Sequence, residues 1–199
     1  MIEPNIEEKA SDVKKRNRRQ KDKKPLDVKR EIMSWIITLA VAAVVAMVVR
    51  CFIFEPVRVE GRSMLETLHH GEIVFVTKPE YLWGEPNRGD VIICRYPGRR
   101  ENFVKRLIAV PGDTIEIRGT TVFINDVEQD ESFLIPDLNR INHSMEPQTL
   151  HDNQYFVMGD NRDNSNDSRS ASVGLISKNQ IIGHVRYVIF PFNILRSVK

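Results

Sequence analysis

The sequence predicts an all-β fold: a predominantly antiparallel β domain tethered by one N-terminal transmembrane helix. Three observations predict it. Residues 32–49 form an uncharged apolar run of eighteen residues; as a helix it spans about 27 Å, close to the ~30 Å core of a bilayer. From Glu55 onward, short apolar runs alternate with turn signals. No long stretch with a 3.6-residue period follows the span.

The first element is a charged tail. Residues 1–31 carry eleven Lys and Arg against seven Asp and Glu, while the rest carries eighteen against twenty. With few large apolar residues, this tail is expected to be disordered. A nucleic-acid-binding domain would hold its basic stripe on the folded part, so nucleic acid is excluded as a partner. The anchor is expected over residues 32–54. Arg50 can snorkel to the interface, and Trp35 and the phenylalanines fall where interfacial aromatics are found. The lack of a polar face argues against a buried core helix. The long leader, the long apolar run and the lack of a following Ala-x-Ala site argue against a cleaved secretory signal. The basic flank predicts a single-pass protein in the cell membrane, with the tail cytoplasmic and residues 55–199 extracytoplasmic. The lipid bilayer is thus an expected partner. Cys51 and Cys94 give no disulfide framework.

Within residues 55–199, strands are expected at 73–76, 91–95, 103–108, 114–118, 121–124, 155–158 and 181–190. Pro111-Gly112-Asp113, Arg118-Gly119 and Asn125-Asp126 read as turns. Residues 132–153 read as a long polar insertion, and residues 177–180 as the start of one helical turn.

Metal and cofactor sites are not expected. Counted from Asp163, an EF-hand loop would need Gly at Ser168 and Glu at Gly174. There is no Cys-x-x-Cys, no His-x-x-x-His pair and no glycine-rich phosphate loop.

Three segments can carry chemistry. Gly159-Asp160-Asn161-Arg162-Asp163-Asn164-Ser165-Asn166-Asp167-Ser168-Arg169 has no apolar side chain, yet lies between apolar runs. It reads either as a surface turn or as a polar network holding a loop in one shape. In Val57-Arg58-Val59-Glu60-Gly61-Arg62-Ser63-Met64, a short β run ends at a glycine and a serine follows. Ser63 either turns the chain or presents its hydroxyl into a cleft. A nucleophilic hydroxyl needs a base. Four lysines follow Glu55, namely Lys78, Lys105, Lys178 and Lys199, and only Lys105 lies inside an apolar strand. Alternation groups Lys105 with Phe103 and Leu107, and Arg106 with Val104 and Ile108, without saying which face is core. Lysine can lose its proton when buried; arginine cannot.

These segments resemble type I signal peptidases of the bacterial single-anchor kind. Val59-Glu60-Gly61-Arg62-Ser63-Met64 is similar to that family's nucleophile motif. The strand from Phe103 through Pro111-Gly112-Asp113 is similar to its lysine motif, and residues 159–169 to its acidic motif. The resemblance covers about residues 32–190. It implies a membrane-bound serine endopeptidase that removes N-terminal signal peptides from secreted precursor proteins, cleaving after small residues of the Ala-x-Ala type. It implies Ser63 as nucleophile, Lys105 as general base and the backbone N–H of Ser63 as oxyanion donor. Ser165 would orient Lys105, Asp167 and Arg169 would brace the loop, and Asp160 would join that network. No cofactor and no metal are implied. Two positions depart from the family pattern: Glu66 stands where proline is usual, and Gly61 where some members have a serine. Competing readings use a histidine base (His69, His70, His143, His151 or His184), or make the chain a catalytically silent, membrane-anchored β-module that binds exported peptides.

Overall fold

The computed structural model describes residues 28–52 and 54–198. The expected disorder of the tail falls largely on residues 1–27, outside them, as does the side chain of Cys51. The chain divides into two units between Met47 and Val48. Helix α1 spans Val28–Phe52. It contains the one segment among the described residues long and apolar enough to cross a membrane. From Val28 to Met47 its apolar side chains are exposed on every side, Trp35 and Leu39 included, as in a helix built for an apolar solvent. Thr38 returns its hydroxyl hydrogen to the Ser34 carbonyl at 2.9 Å, which satisfies a polar group without water.

The second unit is predominantly antiparallel β. Its strands are β1 (Phe54–Arg58), β2 (Ile73–Thr77), β3 (Val91–Arg95), β4 (Asn102–Ala109), β5 (Thr114–Arg118), β6 (Thr121–Ile124), β7 (Val127–Glu128), β8 (Met145–Thr149), β9 (Phe156–Met158), β10 (Ile181–Phe190) and β11 (Arg196–Ser197). A seven-stranded sheet runs β1-β2-β10-β3-β4-β9, with β11 also on β10, and a four-stranded sheet runs β7-β6-β5-β8. A short helix, α2 (Glu80–Trp83), follows β2.

Strands β3 and β4 explain the position of the site. Ile92 and Cys94 enter one apolar cluster, and Val91 and Ile93 enter another. A strand covered on both faces reads as a continuous apolar run. On β4, Leu107 joins the first cluster and Ile108 and Ala109 join a third, which lies against the four-stranded sheet. Both Lys105 and Arg106 are therefore buried, at 3% and 4% exposure. The alternation had left the core face open; the structure has no solvent face at these positions.

The insertion expected at 132–153 contains a strand. Residues Met145–Thr149 pair with β5, from Thr114 opposite Thr149 to Ile117 opposite Met145. The strand is polar, lies at a sheet edge and contains Pro147, and its ladder shifts register there. Proline is tolerated at edges and irregularities, and such strands lack an apolar signature. At residues 177–180 the expected turn forms as a 3₁₀ helix with a Ser177–Gln180 capping box.

Candidate active site

Lys105 lies mid-strand on β4, opposite Ile92 of β3. Its Nζ is 2.6 Å from the Ser63 Oγ. Burial pushes the amine below the ordinary lysine value, against the opposing charges of Asp167 and Asp160. Ser63 sits in the turn after β1. Met64 and Leu68, both fully buried, peg this turn into the apolar cluster beneath β2 and β10. The Val59 N–H donates to the Glu72 carbonyl at 2.8 Å and the Gly71 N–H to the Val59 carbonyl at 2.9 Å, closing the segment into a loop. The Ser63 N–H has no acceptor among the described residues.

The 159–169 run packs directly on this turn. The Asn161 N–H donates to the Ser63 carbonyl at 3.0 Å, and Asn161 Nδ2 to the Arg62 carbonyl at 3.1 Å. Gly159 abuts the same Ser63 carbonyl and Ser165 so closely that a Cβ would overlap both. Asp167 accepts the Gly159 N–H at 3.0 Å and pairs with Arg169 at 2.8 Å. Burial alone would raise the Asp167 carboxyl; Arg169 outweighs it and holds the group below its ordinary value. The Ser165 Oγ is buried beside Gly159 and the Asp167 carboxylate, which its hydroxyl helps hold down, and no hydrogen bond joins it to Lys105 among the described residues. Asp160 points elsewhere, accepting Arg106 Nε at 2.9 Å and Nη2 at 2.7 Å, along with the Thr67 hydroxyl.

A cleft of about 580 Å³ opens at Ser63 and Lys105. Val57, Val59, Met64, Ile93 and Val104 give it an apolar floor, and Arg58, Glu60, Arg99 and Glu101 line it with charge. None of the five histidines hydrogen-bonds the Ser63 hydroxyl among the described residues. His70 accepts the Gly61 N–H at 3.2 Å, and His184 contacts Glu80 at 3.2 Å and stacks on Tyr81. Burial pushes the Cys94 thiol up to about 12, so it is no competing nucleophile.

Comparison with known proteins gives the family. The chain matches the family described as signal peptidase, peptidase S26, over residues 32–190. The chain belongs to this family. It is therefore a serine peptidase of the signal peptidase kind. It is 40% identical to signal peptidase I S of Bacillus subtilis (strain 168), over 86% of this chain and 96% of that protein. It is 37% identical to signal peptidase I of Bacillus licheniformis, over 88% and 97%. A solved signal peptidase I from Enterococcus faecalis V583 is 30% identical and covers 51% of this chain and 97% of its own, with a TM-score of 0.41.

Set against the peptidase motifs, the two departures have plain settings. Gly61 adopts φ +95°, a conformation that favours glycine over any residue with a side chain. Glu66 is exposed and lies 3.7 Å from His69. Several residues in the network were given no role by the sequence. Arg106 joins β4 to Asp160 and to the Gly89 carbonyl at 2.8 Å. Arg162 is 1% exposed. Arg196 of β11 ion-pairs with Glu72 at 2.9 Å and donates to the Thr67 carbonyl at 2.8 Å. The only signal for them was the oddity of arginine beside apolar strands.

Proposed function

We propose that this peptidase cleaves signal peptides from secreted precursor proteins with a Ser63–Lys105 dyad. The observation that carries the reading is the 2.6 Å approach of a buried Lys105 amine to the Ser63 hydroxyl. In the neutral state, Lys105 takes the Ser63 proton as Ser63 Oγ attacks the scissile carbonyl carbon. The oxyanion accepts a hydrogen bond from the Ser63 N–H. Collapse breaks the C–N bond, and the amine leaves with the proton from Lys105. Water then attacks the acyl ester as the neutral Lys105 amine takes its proton, and the Ser63 oxygen leaves with that proton. Ser165, Asp167, Asp160 and Arg169 support the dyad and do not touch the reacting atoms.

The cleavage segment docks as an added strand along the cleft. Small side chains of the Ala-x-Ala pattern fit the shallow apolar floor formed by Val57, Met64, Ile93 and Val104. Residues 32–54 anchor the enzyme in the bilayer, residues 1–31 stay cytoplasmic, and residues 55–199 form the peptidase domain on the extracytoplasmic face.

The test is cleavage of one exported precursor by the purified full chain in detergent, read by the mass of the new N-terminus. Ser63→Ala and Lys105→Ala are each expected to lose at least about a thousandfold in kcat, as removal of a nucleophile or its base does. Near-wild-type cleavage by either variant would overturn the dyad. Loss in a single histidine variant, with retention in Lys105→Ala, would favour the histidine base.

A further inference from the structure

The dyad leaves unexplained an ion pair between a half-buried carboxylate in the segment after β7 and a buried arginine of the acidic loop. The Arg162 side chain is the largest of the fully buried ones, and Glu131 is the carboxylate paired with it among the described residues. Glu131 belongs to the segment after β7. Arg162 also donates its Nε to the Gly159 carbonyl at 3.1 Å. Gly159 in turn presses on the Ser63 carbonyl, two residues before the Asn161 N–H that hydrogen-bonds it. A continuous path therefore runs from the Glu131 carboxylate, through one guanidinium and one peptide unit, to the backbone of Ser63.

The same segment grips the loop at further points. The Phe133 ring centroid lies 4.4 Å from the Arg106 guanidinium carbon, covering the residue that holds Asp160. The Asp163 carboxylate accepts the Arg140 N–H at 3.0 Å and the Ile141 N–H at 2.9 Å. A guanidinium left without an acceptor in a buried site must leave it or drag water in. Either response removes the donor from the Gly159 carbonyl and frees the loop from Ser63.

We propose that Glu131 is a positioning residue for the nucleophile: it holds Arg162 on the Gly159 carbonyl and so sets the Ser63 backbone against Lys105. This rests on the dyad assignment above. Because Glu131 reaches neither cleft nor substrate, its loss lowers turnover and not affinity.

The experiment measures kcat and KM of the full chain in detergent, per folded molecule, for Glu131→Ala, Glu131→Gln and a control, Glu128→Ala, on exposed β7. An acylating probe titrates the competent sites, and melting curves report the fold. Expected are a kcat about 10- to 100-fold lower in Glu131→Ala with KM within twofold, wild-type values in Glu128→Ala, and recovery of most of the kcat in Glu131→Gln, whose amide oxygen still accepts from Arg162. Wild-type kcat per folded molecule in Glu131→Ala overturns the inference, as does a loss confined to KM. If Glu131→Ala fails to fold, Glu131→Asp, which withdraws the carboxylate by one methylene, decides: its kcat should fall with KM within twofold, and a wild-type kcat overturns the inference. Ser63→Ala and Lys105→Ala are run in parallel. If they lose cleavage while Glu131→Ala keeps it, the positioning role alone fails; if they keep it, the dyad fails.

Discussion

A lysine that acts as base must be neutral when substrate arrives, and burial is the first cause that brings Lys105 toward that state. The same burial has a thermodynamic cost. With its folded-state pKa below the ordinary 10.5, the folded chain binds fewer protons here than the unfolded one. Stability from this group therefore rises with pH between the lowered value and 10.5, and the group opposes folding at neutral pH. Lys105→Met is accordingly expected to abolish cleavage yet raise Tm by a few degrees, given about 2–4 °C per kcal/mol for a domain of this size. A lower Tm in a melting experiment would contradict this. Neighbouring charges give a second prediction. Asp167 raises the Lys105 value and Arg169 lowers it. In pH profiles of kcat/KM, Asp167→Asn should move the acid limb to lower pH and Arg169→Gln to higher pH, both with reduced plateaus. Shifts of the same sign would exclude this electrostatic account.

At the level of elements, the site is a strand, a turn and a loop, and each was legible as a local string. Lys105 stood out as the lysine within an apolar strand, Ser63 followed a glycine-ended β run, and residues 159–169 were too polar for their neighbours. What joins these elements was not legible. Arg106 meets Asp160 across 54 residues and Arg162 meets Glu131 across 31, and neither periodicity nor propensity reports on contacts at such separation. Strand β8 escaped notice because an edge strand with a proline and polar side chains has no alternation to detect. Ser165 shows the converse limit. A family resemblance implied that Ser165 orients Lys105, whereas its buried Oγ lies at the Asp167 carboxylate and has no hydrogen bond to Lys105 among the described residues. The closest joint between elements is Gly159 against Ser63. A methyl group there overlaps the Ser63 carbonyl, which is backbone and cannot swing aside. Gly159→Ala should therefore destabilise the fold by about 1–3 kcal/mol, as overpacking does. It should also cut kcat per folded molecule well beyond that of an alanine placed at Gly98, an exposed turn. Equal activity of the two variants would mean the loop does not set the nucleophile.

Among the described residues, the seven-stranded sheet leaves two edges unpaired at the cleft. Strand β1 pairs there with β2 on one side only. Strand β4 pairs with β3 along residues 102–106, but with β9 only from Arg106 to Ala109. Its first half thus keeps one side unpaired, and Val57, Arg58, Phe103 and Val104 face one cleft. Exposed edges invite pairing with another chain, and an extended peptide satisfies them by strand addition. Side chains of a strand alternate in direction, and so do its hydrogen-bonding groups. A peptide lying between both edges bonds one through its odd positions and the other through its even positions, so successive backbone N–H groups are engaged. Methylating the amide nitrogens of a peptide substrate one at a time should raise KM at each position held between the edges, roughly 2- to 10-fold per methyl group, the worth of one net hydrogen bond. kcat should change only next to the scissile bond. Sensitivity at every second position alone would show that one edge is used, and no sensitivity would show that substrate does not bind as a strand.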